Sequence, residues 1–226
     1  IAYFIVSRRL DSAWENYKLI GDASPINPLT EKLVQKCNEQ IEGYKVYQAM
    51  RYTPPFAQDV IEEIIKDGIT NILLLPLYPQ FSTTTTKSSV QDFIDYTPYS
   101  CKLEYIEEFY QNEKFNECII NEIVSNVEDA SQYNLIFSAH GLPQKIVDNG
   151  DPYEEQMDEH VEILKNMLQI KSVNFKSINL AYQSKVGPMK WLEPSLEYML
   201  KNFKDQKVII YPIAFIVDNS ETDFEL

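Results

Sequence analysis

The chain has 226 residues, with 20 basic and 34 acidic side chains and a formal net charge of −14. At 44% hydrophobic residues it can bury a sizeable core, in one large domain or two small ones. Its acidic excess repels nucleic acid and anionic membrane surfaces, and no basic patch offsets that field, so no nucleic-acid partner is expected.

The sequence opens at Ile1 within a stretch that reads as helix, which suggests a truncated start. Asn27-Pro28 then starts a helical pattern over 28–40, followed by a strand-like run at 44–50 and a second helix over 55–66. Residues 71–77 read as a strand, 87–96 as a helix, 101–106 as a weaker strand and 114–127 as a helix. The run at 133–137 is a third clear strand, and Asp151-Pro152 opens a helix over 153–168. Strands at 177–182 and 207–215 enclose a last helix over 192–203. Such alternation predicts parallel sheets covered by helices on both faces, an α/β fold.

Four of these strands run into polar, Pro- or Gly-marked loops: Tyr78-Pro79-Gln80-Phe81-Ser82, Ser138-Ala139-His140-Gly141-Leu142-Pro143, Gln183-Ser184-Lys185-Val186-Gly187-Pro188 and Asp218-Asn219-Ser220-Glu221. In open α/β sheets that edge is where ligands bind. His140 sits there between two small residues, although a lone histidine is more often a hydrogen-bonded structural residue. His160, the other histidine, falls mid-helix and is expected on a solvated face. Asp218, Glu221 and Glu225, spaced by three and four, would line one face if Asp218 begins a helix; an ordinary solvated acidic face fits the same spacing. Arg51 and Tyr52 follow the 44–50 run and offer a cation for a substrate carboxylate, or a surface Arg with a packed stem. Met189 and Trp191 suit the rim of a site for a flat apolar ligand, or simple packing. The threonine run at 83–86 lacks the glycine pattern of a phosphate loop. Cys37, Cys101 and Cys118 form no CxxC, which suits thiols in a reducing compartment.

These motifs together resemble the ferrochelatases over essentially the whole chain. Leu77-Tyr78-Pro79-Gln80-Phe81-Ser82 is similar to the family's first-domain strand-end motif. Phe137-Ser138-Ala139-His140-Gly141-Leu142-Pro143 with Gly150-Asp151-Pro152-Tyr153 is similar to the signature of its active-site histidine. Gln183-Ser184-Lys185-Val186-Gly187-Pro188 with Trp191-Leu192, and Pro212-Ile213-Ala214-Phe215 leading to Glu221-Thr222, match two further blocks. Gly21, Ser24-Pro25-Ile26 and Arg51-Tyr52 agree as well.

The resemblance implies two Rossmann-like halves, 1–105 (its first strand missing) and 106–226, with a porphyrin in the cleft between them. It implies that His140 and Glu221 form the central catalytic and metal-handling pair, with Asp218 and Glu225 as a supporting acidic path. Arg51, Tyr52 and Tyr78 map near the macrocycle, and Met189 and Trp191 to the pocket lip. Fe²⁺ and a porphyrin, protoporphyrin IX foremost, are implied as substrates, with no organic cofactor. Some family members carry an iron–sulfur cluster beyond this stretch, on which the sequence to Leu226 is silent. A cytoplasmic setting is implied; peripheral membrane contact and the oligomeric state stay open. Where many relatives have a second histidine in the last motif, this chain has Asn219, so that residue's role does not carry over.

Metal insertion removes two pyrrole protons, a task suited to an imidazole, while imidazole and carboxylate both ligate Fe²⁺. Two alternatives remain. A cobalt or iron chelatase for sirohydrochlorin-type rings would need several cations at the cleft, where only Arg51 and Lys185 stand out. A non-catalytic haem-binding module would use His140 as an axial ligand and would need no acidic stripe.

Overall fold

Strand and helix alternate along most of the chain in the computed structural model, which describes residues 14–15, 17–19 and 21–225; the side chains of Phe224 and Glu225 lie outside that set. The chain resolves into two compact units, Ile1–Phe56 with Val217–Leu226, and Ala57–Ile216.

In the first unit, helix α1 (Ile26–Gln40) ends where the Ile41 amide donates to the Cys37 carbonyl. Among the described residues, the strand expected at 44–50 forms no ladder. Instead the Asn38 side chain takes both backbone groups of Val46: its Oδ1 accepts from the amide at 2.8 Å and its Nδ2 donates to the carbonyl at 2.9 Å. Those groups are thereby satisfied without a neighbouring strand. Met50 makes an isolated bridge to Phe56. The same unit holds a short π-helix, Glu221–Glu225.

The second unit runs α2 (Ala57–Lys66), β1 (Asn71–Leu74), α3 (Thr86–Tyr96), β2 (Lys102–Tyr105), α4 (Glu113–Ser125), β3 (Tyr133–His140), α5 (Gln144–Asp148), α6 (Tyr153–Ile170), β4 (Ser177–Gln183), α7 (Leu196–Asn202) and β5 (Lys207–Pro212). β1 and β2 form a parallel pair, Asn71 opposite Lys102. β1 is shorter than the expected 71–77 because Pro76 has no amide to give to a ladder. The second sheet has the order β4-β3-β5, all parallel.

β3 explains the architecture of this sheet. Residues 134–139 are all buried, the pattern of a parallel strand covered on both faces. Leu135, Phe137 and Ala139 face a core with Ile119, Ile120 and Ile123 of α4 and Met157, Val161, Leu164 and Leu168 of α6. Ile136 joins Ala181 and Leu196 in a smaller cluster, so α7 covers the opposite face. Each such fully buried aliphatic side chain contributes roughly 1.5–3 kcal/mol. α7 starts four residues later than the helix expected over 192–203, because Pro194 interrupts the run and Ser195 caps it, its Oγ accepting from the Tyr198 amide at 3.3 Å.

Candidate active site

His140 is the last residue of β3, half-buried at the carboxyl end of the central strand. The β3–β4 ladder stops at the His140–Gln183 pair. Beyond it the Gly141 amide donates to the Gln183 carbonyl at 2.9 Å. Only a residue without a side chain fits here, since a Cβ on Gly141 would lie 2.7 Å from that oxygen and 3.4 Å from the Trp191 ring. The Ser138 hydroxyl donates to Gln183 Oε1 at 2.5 Å, and the Tyr153 hydroxyl donates to the His140 carbonyl at 3.0 Å.

The loop after β4 is laced to the turn that follows His140. The Gln144 amide donates to the Lys190 carbonyl and the Leu192 amide to the Leu142 carbonyl, both at 2.9 Å. Trp191 is 9% exposed and its indole N–H donates to the Val186 carbonyl at 3.0 Å, whereas Met189 is 57% exposed. Of the two residues expected at a pocket lip, Met189 is thus accessible and Trp191 forms part of the packed support.

The loop after β1 carries half-buried Tyr78 and is fastened to α6 and its N-terminal cap. Buried Gln80 and Asn116 hold the ring of His160 between them: Nδ1 accepts from Gln80 Nε2 at 2.8 Å, and Nε2–H donates to Asn116 Oδ1 at 2.8 Å. Asn116 in turn donates to the Tyr110 carbonyl at 2.8 Å, which fixes its amide orientation and hence this tautomer of the ring. The expectation of a solvated His160 is therefore corrected; it is 0% exposed. Met157 and Leu164, three residues before and four after it, share its helix face, and that spacing was the signal in the sequence. Burial pushes its pKa down to about 4. Further along the loop, the Phe81 amide donates to Gln156 Oε1 at 2.7 Å, and Asp151 binds Ser82 and Thr83. No role was read from the sequence for Gln80, Asp151 or Tyr153, although each lies inside a quoted motif.

The first unit carries the remaining candidates. The Arg51 guanidinium lies 5.3 Å from the ring centroid of Tyr52, which is 79% exposed. Asp218 precedes the π-helix rather than beginning it, and accepts from the Thr222 hydroxyl at 3.1 Å. Asn219 forms the helix entry, its Oδ1 accepting from the Glu221 amide at 2.8 Å. Glu221 is half-buried at the first π-helical position, and π-helical turns frequently mark functional sites. The Glu225 side chain lies outside the described residues.

A separate recess of about 310 Å³ lies beside β4, lined by Glu154, Asp158, Leu180 and Tyr182 among others, and by none of the expected site residues. Among the described residues, no helix is long and apolar enough to cross a membrane.

Parallel sheets with helix-covered faces and chemically equipped loops at the strand ends define the class of α/β proteins that bind at the carboxyl edge of the sheet. The structure of SirB from Bacillus subtilis with Fe3+ shares this fold, at a TM-score of 0.60 over 82% of this chain and 69% of that one, with 14% sequence identity. A ferrochelatase family model matches residues 1–226. Ferrochelatases of Sulfurimonas denitrificans, Nitratiruptor sp. and Wolinella succinogenes are 49%, 45% and 43% identical across the whole of this chain, which covers 73%, 74% and 73% of their lengths. The chain belongs to the ferrochelatase family.

Proposed function

We propose that this protein inserts Fe²⁺ into a porphyrin, protoporphyrin IX foremost, releasing two protons to give haem. The observation that carries this reading is a histidine at the carboxyl end of the central parallel strand, in a chain of the ferrochelatase family. Each pyrrole N–H loses its proton as an Fe–N bond forms, so the dication replaces two protons and the ring stays neutral overall. His140 accepts the pyrrole protons through its imidazole, which becomes imidazolium and must pass each proton on. Glu221 ligates iron or carries protons away, with Asp218 and Glu225 as further carboxylates on that path. Both His140 and Glu221 are competent donors to Fe²⁺, which enters as substrate. Arg51, Tyr52, Tyr78, Met189 and Trp191 contact or support the macrocycle; the exposed aromatic face of Tyr52 and the accessible thioether of Met189 suit a flat apolar ring.

The proposal includes two Rossmann-like halves, 1–105 and 106–226. The β1–β2 pair falls before that boundary and the β4-β3-β5 sheet after it, whereas the compact units part at 56/57 and 216/217 instead. A cytoplasmic setting accords with Cys37, Cys101 and Cys118 being free thiols.

The test is metallation followed by absorbance in the full-length enzyme, with protoporphyrin, coproporphyrin and sirohydrochlorin as ring substrates and Fe²⁺ under anaerobic conditions. His140→Ala should lower the rate by about a hundredfold or more, and porphyrin binding should persist. A normal rate in that variant, or turnover of sirohydrochlorin alone, would overturn the reading.

A further inference from the structure

We infer that Tyr153, held in place by Asp151, is a positioning residue for His140. The inference rests on the assignment of His140 as the proton acceptor.

β3 loses its supports one at a time as it approaches the site. Its ladder with β5 ends at the Ser138–Pro212 pair, while that with β4 continues to His140–Gln183. Past Ser138, therefore, a ladder holds the strand on one side only. There the phenol of Tyr153 donates to the His140 carbonyl at 3.0 Å. That carbonyl carbon is bonded to the Cα that bears the imidazole, so anchoring it restrains displacement of this Cα at the strand end and of the Cβ from which the ring projects. A restrained Cα narrows the volume the ring can sweep.

Tyr153 is buried at the start of α6, and its own position is set by Asp151. Asp151 Oδ1 accepts from the Tyr153 amide at 3.1 Å. Its other oxygen accepts from the Ser82 hydroxyl at 3.0 Å, the Thr83 amide at 2.7 Å and the Thr83 hydroxyl at 2.6 Å. One buried carboxylate thus ties the loop after β1, which carries Tyr78, to the residue that steadies His140. A ring-contacting loop and a proton acceptor held by one anchor keep a constant separation, and displacements of about 1 Å can cost a hundredfold in rate.

Tyr153→Phe removes the hydroxyl and leaves the ring in its core site. In the full-length enzyme, kcat for metallation should fall about tenfold to a hundredfold, with the porphyrin KM within about twofold of wild type and the melting temperature little changed. The imidazole resonances of His140, identified by histidine-selective labelling, should move while those of His160 stay. Wild-type kcat and KM would overturn the inference, as would a raised KM with kcat intact, which would put the hydroxyl in ring binding. A dead His140→Ala beside a fully active Tyr153→Phe sinks the positioning role alone; an active His140→Ala sinks the assignment beneath it. If Tyr153→Phe fails to fold, Asp151→Ala, which removes the acceptor for the Tyr153 amide together with those for Ser82 and Thr83, is read against the same outcomes.

Discussion

The Gly141 amide donates to the Gln183 carbonyl at 2.9 Å, and the same oxygen stands 2.7 Å from where a Cβ of residue 141 would be. The chain leaving His140 is therefore pressed against the neighbouring strand's end with no room for a methyl group. Gly141→Ala must push backbone from backbone, since the obstructing atom cannot rotate away. The expected cost is about 1–3 kcal/mol of unfolding free energy, with a larger loss of metallation rate than of porphyrin binding. Denaturant melts and steady-state rates on one preparation would check both.

His160 predicts a pH dependence. An unfolded histidine takes up a proton near pH 6.5, whereas burial holds the folded one down to about 4. The folded state thus binds fewer protons in that window, and its stability is lost as pH falls from about 6.5 to about 4, by an amount on the order of 3 kcal/mol. His160→Gln should be less stable than wild type at neutral pH, having lost the clasp between Gln80 and Asn116. Because the variant lacks this titration, the gap should narrow as the pH falls. Urea melts of the two proteins between pH 7 and 4 would measure it; a constant gap would refute the linkage.

Trp191 separates a rim residue from a packed one. With the ring buried against the Gly141 turn and its N–H donating to Val186, Trp191→Ala should cost about 3–5 kcal/mol. A residue serving only to touch the porphyrin would alter KM and leave the thermal melt alone. Met189→Ala, on the accessible part of the same loop, should do the latter.

Tyr182 makes the opposite prediction. Its hydroxyl is buried beside the acidic recess and has no hydrogen-bond partner among the described residues. Burial pushes its ionisation upward, and the Asp158 and Glu154 carboxylates add to that shift. Tyr182→Phe removes an unsatisfied polar group and keeps the ring, so stability should rise by about 1 kcal/mol in thermal or chemical melts, with metallation unchanged.

Strand and helix type were legible because parallel strands covered on both faces read as apolar runs, and 133–137 is such a run. The boundaries were less so, since they depend on partners distant in sequence. β3 extends to His140, where Gln183 pairs with it, and at 44–50 the described residues show the Asn38 side chain on both backbone groups of Val46 in place of a ladder. At the site, the strand-end motif gave the location of His140, but not the residues that steady it. The phenol of Tyr153 reaches back over thirteen positions and the Asp151 carboxylate over sixty-nine, distances at which no periodicity carries information. His160 was misread for a different reason. The spacing of Met157 and Leu164 marks its helix face as buried, but the partners that satisfy the ring, Gln80 and Asn116, lie 80 and 44 positions away.

The place of β3 between two ladders has a kinetic consequence. Backbone amides in its middle, around Ile136 and Phe137, each lie in a ladder with a neighbouring strand and are buried on both faces, so their exchange with solvent needs an opening close to global unfolding. Deuterium should therefore enter the exposed 185–190 segment first and the floor beneath the histidine last. Exchange that ranks 185–190 ahead of the middle of β3 would show the proposed site resting on a floor that outlasts its surroundings.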